Sequence, residues 1–259
     1  MDGVESCAMP LHGRITAGAG ALLTLLSACG GRPVPQPEPP EPPAVPPVVA
    51  EVQTPPLPIL QPGAWYAAET HDRVVEVSRE PGGAPFWRFD TRNGFGQRIS
   101  MLATAARADL DGESWVRVVL PLGVHGRPGW VPADEVRLEE RHHRIVVDLS
   151  ERTLRWTKNG EPVATYRVAI GAPATPTPTG TFYVWARVPQ DSPSGPYGVF
   201  ALGLSAFSPD YPDERIAIHG TADPGDTGLA ISHGCIRVSN AQMEELRRVP
   251  LGTPVIVRD

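Results

Sequence analysis

Downstream of residue 63, apolar and polar positions alternate in short runs punctuated by glycine, proline, asparagine and aspartate, which predicts many short strands. Between residues 63 and 140 the runs Val74-Val75-Glu76-Val77, Phe86-Trp87-Arg88-Phe89, Ile99-Ser100-Met101-Leu102 and Trp115-Val116-Arg117-Val118-Val119 are spaced as in a small all-β barrel. Further on, residues 144–149 and 153–158 alternate, and Asn159-Gly160 is a hairpin turn leading into a strand at 162–170. Strands are also expected at 181–188, 198–204, 215–219 and 255–257. One helix interrupts this pattern. Ser239 can cap it and Gln242 completes a capping box; Met243, Leu246 and Val249 follow at three-residue spacing, and Pro250 ends it. The fold class is therefore mostly β, with a small barrel at 63–140 and a second, sandwich-like β domain with one late helix at 141–259.

The chain of 259 residues suits two ordinary domains, and 41% hydrophobic with 20% charged residues excludes a wholly disordered or membrane-embedded protein. Of its 31 prolines, 13 fall in residues 33–62, which excludes helix or central strand there and makes residues 29–62 a semi-extended tether. Ahead of it, residues 15–28 form an uncharged apolar run after Arg14. A bilayer span takes about 20 residues, so this run has instead the length of a signal-peptide core. Leu26-Ser27-Ala28-Cys29 resembles the bacterial lipobox, which implies that residues 1–28 are a lipoprotein signal peptide and that Cys29 is the lipidated N-terminus. Asp2 and Glu5 precede Arg14, and a start at Met9 would remove both acids together with Cys7. The resulting expectation is an exported chain, anchored by lipid on the outer face of the cytoplasmic membrane and facing the wall.

Net charge is −6, yet residues 141–259 hold 12 basic and 12 acidic side chains, and no basic stripe is present. Nucleic-acid binding through phosphate neutralisation is therefore not expected. With Cys29 lipidated, Cys235 is the one thiol left for the exported domains, so no internal disulfide is expected, and a lone thiol outside the cytosol points to catalysis.

That cysteine stands in Ile231-Ser232-His233-Gly234-Cys235-Ile236-Arg237-Val238-Ser239-Asn240, whose His233 comes fourteen residues after His219, which with Gly220 ends an alternating strand. A thiol attacks as thiolate, and its ordinary pKa of about 8.5 calls for a neighbouring base or cation. His219 could be fixed by its strand beside the thiol. Gly234 would let the acyl group approach the backbone, and N–H groups around His233, Gly234 and Cys235 could form an oxyanion hole. Arg237 could meet a carboxylate bidentately, or serve only as a salt-bridge partner.

The pattern His219, Ser232-His233-Gly234-Cys235, Arg237 and Asn240 resembles the L,D-transpeptidase (YkuD-type) catalytic domain, as does Gly171-Ala172-Pro173-Ala174-Thr175-Pro176-Thr177-Pro178-Thr179-Gly180-Thr181-Phe182 upstream. This implies that Cys235 is the nucleophile and His219 its base, with His233 either catalytic or a structural prop of the turn. Ser232, Gly234, Arg237 and Asn240, together with Gly220 and Tyr197, are the expected substrate-binding residues. Residues 126–136, which include Gly129-Trp130-Val131, resemble the closing segment of bacterial Src-homology-3-like domains. Trp87, Trp115 and Trp130 could line a groove there or fill the core.

The resemblance implies peptidoglycan cross-linking of the 3-3 type through an acyl-enzyme, with peptidoglycan stem peptides as partners, release of D-alanine, reaction with carbapenems, a monomeric chain, and no cofactor or metal. Residues 189–213, carrying Tyr197, Phe200, Phe207 and Tyr211, are the expected lid. Carboxypeptidase action and protein-to-wall attachment use the same acyl-enzyme. A non-catalytic wall-binding lipoprotein would have no need of an activated thiol. His219, His233 and Cys235 could instead ligate zinc, and His12, His71, His125, His142 and His143 are read as surface or core.

Overall fold

The computed structural model describes residues 58–71, 73–211 and 213–259. Residues 1–28, where a signal peptide is expected, Cys29 and most of the expected tether lie outside the described residues. Seven strands form the first sheet: β1 (Tyr66–Thr70), β2 (Val75–Ser78), β3 (Pro85–Phe89), β4 (Ser100–Ala108), β5 (Ser114–Leu120), β6 (Arg127–Pro132) and β7 (Val136–Glu140). Their order is β3-β2-β6-β5-β4-β1-β7, in a barrel-like antiparallel arrangement. On β5 the alternation decides the faces. Val116, Val118 and Leu120 are buried while Arg117 between them is exposed, because successive side chains on a strand point to opposite faces.

The second part contains β8 (His143–Asp148), β9 (Thr153–Lys158), β10 (Glu161–Arg167), β11 (Ile170–Gly171), β12 (Gly180–Pro189), β13 (Phe200–Phe207), β14 (Arg215–Thr221), β15 (Ala230–Ser232), β16 (Ile236–Ser239), α1 (Asn240–Leu246) and β17 (Pro254–Arg258). Eight of these strands form one sheet, ordered β10-β9-β8-β17-β12-β13-β14-β16, and β11 pairs with β15. The hairpin between β9 and β10 turns at Asn159 and Gly160, both in the left-handed region that such two-residue turns require. The helix begins with the expected capping box, Gln242 N–H donating to Ser239 Oγ at 3.3 Å and Ser239 N–H to Gln242 Oε1 at 3.0 Å. It ends at Leu246, earlier than Pro250 requires. Met243 and Leu246 bury against the sheet, and Val249 joins them from beyond the helix.

One stretch of sequence shows no alternation, Phe182-Tyr183-Val184-Trp185-Ala186 on β12. Its two faces meet two different cores. Phe182 and Val184 pack with Ile145, Leu202, Ile218 and Val255, whereas Tyr183, Trp185 and Ala186 pack with Val77, Met101 and Val118 of the first sheet. A strand buried on both sides reads as a continuous apolar run. Tyr183 Oη donates to Val119 O at 2.8 Å across this junction. Arg141 pins it again, Nε donating to Leu251 O at 2.8 Å and a terminal nitrogen to Ser100 Oγ and to the Glu69 carboxylate. Burial alone would raise the Glu69 carboxyl, but hydrogen bonds and charge from Arg137 and Arg141 outweigh it and hold the group below the ordinary range.

The expected 189–213 loop is shorter than the sequence suggests. Phe200 and Phe207 bound β13, and Phe200 is buried in the main core, because the run between them pairs with both β12 and β14. Only the two turns flanking β13 remain free to act as covers, and they carry Tyr197 and Tyr211.

Candidate active site

β14 and β16 lie side by side and parallel, with His219 in register with Arg237. The turn preceding β16 therefore delivers Cys235 to the same edge of the sheet as His219. Cys235, His219, Ser232, His233, Arg237 and Tyr197 together line a cleft of about 580 Å³.

The turn from 232 to 235 is bonded from several sides. Ser232 Oγ donates to Cys235 O and accepts from Gly234 N–H at 3.1 Å. The proline-threonine loop between β11 and β12 supports it from below. Thr175 Oγ donates to Ser232 O at 2.9 Å; Thr177 Oγ donates to Gly234 O at 2.9 Å and accepts from Gly171 N–H at 2.9 Å. Thr175 and Thr177 are positioning residues, and their signal was the threonine-rich loop itself, whose repeated hydroxyls can bond carbonyls that proline leaves unpaired.

Gly234 has φ +112°, and a Cβ there would stand 2.7 Å from Ile216 Cδ1. Glycine is therefore required by the fold beneath the turn rather than by room for an acyl group, which differs from the reason expected from sequence. Its N–H is also committed to Ser232 Oγ, so it cannot serve an oxyanion. The backbone N–H groups of His233 and Cys235 donate to no acceptor among the described residues, which leaves these two of the three expected donors.

His219 is almost fully buried, and its Nδ1 lies 2.8 Å from Gly220 O. A carbonyl only accepts, so Nδ1 carries the proton and Nε2 keeps its lone pair. Burial pushes the imidazole pKa down to about 4; Gly220 O and Asp226 oppose that shift and Arg237 adds to it. Burial likewise raises the Cys235 thiol above its ordinary range, with the Ala217 N–H and Arg237 pulling the other way. At neutral pH the resting pair is thus a neutral thiol and a neutral imidazole, so the proton moves when attack occurs rather than before. Sγ rests 3.9 Å from Arg215 O.

Arg237 donates to Asp226 Oδ2 at 3.0 Å, and Thr221 Oγ donates to the same oxygen at 3.0 Å. Of the two sequence readings of Arg237, the salt-bridge partner is the one present here, and Asp226 was missed because its loop shows no motif. Asn240 does not line the cleft. Its Oδ1 accepts from Val199 N–H at 3.0 Å and its Nδ2 donates to Pro193 O at 2.9 Å, stapling the loop that carries Tyr197. Gly220 and Gly198 admit that staple, since a Cβ at either would stand 2.3 or 2.1 Å from Asn240 Oδ1. Tyr197 meets the His219 ring edge-on at 5.1 Å, and Tyr211 meets the exposed His233 ring edge-on at 6.2 Å. Among the described residues, no three His, Cys, Asp or Glu side chains are gathered so as to hold a metal ion, so His219, His233 and Cys235 do not form a ligand set.

Residues 142–257 match the family model of the L,D-transpeptidase catalytic domain, YkuD. The matched stretch begins at the first strand of the second sheet and contains every residue of the cleft named above. Among curated proteins, "Putative L,D-transpeptidase YkuD" of Bacillus subtilis is 39% identical over 116 residues, covering 44% of this chain and 65% of the relative. "Probable L,D-transpeptidase YbiS" of Escherichia coli is 36% identical over 101 residues, covering 39% of this chain and 26% of the relative. The chain thus spans 65% of the length of the Bacillus relative, and its residues 1–140 lie outside the YkuD match. Among solved structures, the catalytic domain of an E. faecium L,D-transpeptidase aligns with 29% identity over 45% of this chain and 96% of that one, at a TM-score of 0.35.

Proposed function

We propose that this protein is a peptidoglycan L,D-transpeptidase that forms 3-3 cross-links through a cysteine acyl-enzyme. The observation that carries this reading is the pairing, in one cleft, of the Cys235 thiol with the His219 imidazole, whose Nδ1 lies against Gly220 O. With the proton on Nδ1, Nε2 is free to accept another.

Cys235 Sγ attacks the L-centre carbonyl of a tetrapeptide stem as its proton passes to His219 Nε2. The oxyanion is met by the N–H groups of His233 and Cys235; such donors are worth about 2.7–4 kcal/mol each in acyl transfer. The C–N bond to the terminal D-alanine breaks and the imidazolium returns the proton to the leaving amine. A thioester remains. The side-chain amine of a second stem then attacks, the C–S bond breaks, and His219 carries the amine's proton back to sulfur. Arg237, tied to Asp226, keeps positive charge beside the imidazole and helps hold it neutral between cycles.

Further parts of the reading concern the rest of the chain. Cys29 is the diacylated N-terminus and the proline-rich residues are a spacer between membrane and wall, a proposal supported by Leu26-Ser27-Ala28-Cys29 after the apolar run. The first sheet is a Src-homology-3-like domain, supported by Gly129-Trp130-Val131 on β6 leading through a single tight turn into β7.

Mass spectrometry of the purified chain incubated with disaccharide-tetrapeptide tests the chemistry. The expected result is an acyl adduct on Cys235, free D-alanine and a cross-linked dimer. Tripeptide with no dimer would replace cross-linking by carboxypeptidase action, and intact substrate would sink acyl transfer altogether.

A further inference from the structure

One wall of the cleft comes from the first sheet. Phe95 lies between β3 and β4, outside the stretch that matches the catalytic family, yet it lines the cleft that holds Cys235. The loop that carries it is built for the purpose. Asn93 is buried; its Oδ1 accepts from Phe95 N–H and from Gln97 N–H, each at 3.0 Å, and its Nδ2 donates to Trp185 O at 3.1 Å. Gln97 forms a two-bond ring with the backbone of Arg187, Nε2 donating to Arg187 O and Oε1 accepting from Arg187 N–H at 3.0 Å. β17 pairs with β12 only from Gly180 to Tyr183, so these carboxamides occupy the edge that β17 leaves open. The loop backbone is thereby fixed, and Phe95 projects from it, 55% exposed.

The floor between Phe95 and the nucleophile is a set of registered small residues. Ala186 on β12 stands beside Gly203 on β13, which stands beside Ala217 on β14; the neighbouring row runs from Val188 through Ala201 to His219. Nothing in the fold demands glycine at 203. An added Cβ there would meet Ala186 Cβ at an ordinary 3.5 Å, so the missing side chain is room in the groove. Adjacent strands lie about 4.8 Å apart, and three intervals separate β12 from β16. The groove from Cys235 to the Phe95 end is therefore about 14 Å long.

We infer that Phe95 is a specificity-determining residue, supplied by the first sheet, whose ring packs against the sugar-proximal end of the donor stem. This rests on the transpeptidase reading of the same cleft. An extended peptide covers about 3.4 Å per residue, so the three residues from the attacked carbonyl back to the start of the stem span about 10 Å. The group joining stem to sugar then falls at the far end of the groove, where an exposed aromatic face offers apolar contact to its methyl and C–H surface.

The test uses binding, so that turnover is not needed. In the full chain carrying Cys235→Ala, titration calorimetry compares disaccharide-tetrapeptide with the same tetrapeptide lacking its disaccharide. The longer ligand is expected to bind more tightly, and Phe95→Ala is expected to shrink that preference about tenfold. Gly203→Leu, which fills the floor, is expected to weaken both ligands. Thermal unfolding of each variant verifies that it is folded. No preference for the longer ligand, or a preference that Phe95→Ala leaves unchanged, overturns the inference. Separately, a wild-type chain that binds both ligands but releases no D-alanine would refute the transpeptidase reading while leaving the role of Phe95 standing.

Discussion

The turn that carries Cys235 and the loop that carries Phe95 bring side chains to the same cleft by opposite means. The turn is held from beneath by hydroxyls of its own domain, Ser232, Thr175 and Thr177, and by a glycine in a conformation other residues avoid. The loop is held from the side by two carboxamides that grip the backbone of a different sheet, and none of its groups is strained against a core. Reaction geometry tolerates little displacement, since a misplacement of about 1 Å can cost about a hundredfold in rate. A wall that only contacts substrate can rest on a side-chain staple. Substitutions in the turn should therefore damage chemistry and stability together, while those in the loop should leave the chemistry close to wild type.

The sharpest break of the comparison is Cys235→Ala. Exposure to a carbapenem, whose strained carbonyl stands in for the donor amide, should give a carbapenem-sized mass gain in wild type and none in this variant. An equal gain in both would remove Cys235 as nucleophile. Next, His219→Ala should slow acylation by about 10²–10⁴, the usual worth of a positioned base. Stopped-flow kinetics measures it, and an unchanged rate would mean the thiol ionises unaided.

Gly234→Ala tests the strained side of the comparison. Strain of about 1–3 kcal/mol from the backbone conformation adds to about 1–3 kcal/mol of overpacking against Ile216. Urea denaturation should show the loss, with acylation slowed in parallel; a variant of wild-type stability and rate would mean the turn is softer than its bonding implies.

The buried imidazole adds a pH signature. Because His219 sits at about 4 in the folded chain against an ordinary 6.5, the unfolded chain takes up the proton first as pH falls. Its contribution to stability is therefore complete above pH 6.5 and drains away toward pH 4, about 3 kcal/mol in all. Denaturation midpoints across that window should fall more steeply for wild type than for His219→Gln. Parallel curves would refute the neutral, buried assignment.

The smallest effect belongs to the loop. Asn93→Ala removes three hydrogen bonds at a half-covered edge and should cost about 1–3 kcal/mol, with carbapenem acylation close to wild type. A large loss of acylation would show that the staple supports the catalytic turn as well as Phe95.

Most of the strands, the capped helix and the chemistry of the cleft were legible in the chain itself, because each rests on local order. Alternation in residues 114–120 decides which face of β5 is buried, Asn159-Gly160 makes its own turn, and Ser239 with Gln242 caps the helix that starts at Asn240. The thiol, the imidazole and their spacing likewise stand in the sequence as a motif, and the cleft brings them together. Contacts between distant segments were not legible. That Phe182 and Tyr183 serve two different cores depends on the first sheet, which ends more than forty residues upstream. Gly234 is required because Ile216 fills the space beneath it, and Arg237 faces Asp226 because β16 lies along β14. Phe95 carries no motif at all. It enters the cleft only because Asn93 and Gln97 find an unpaired backbone edge on β12, and an edge exists only once the sheet has formed.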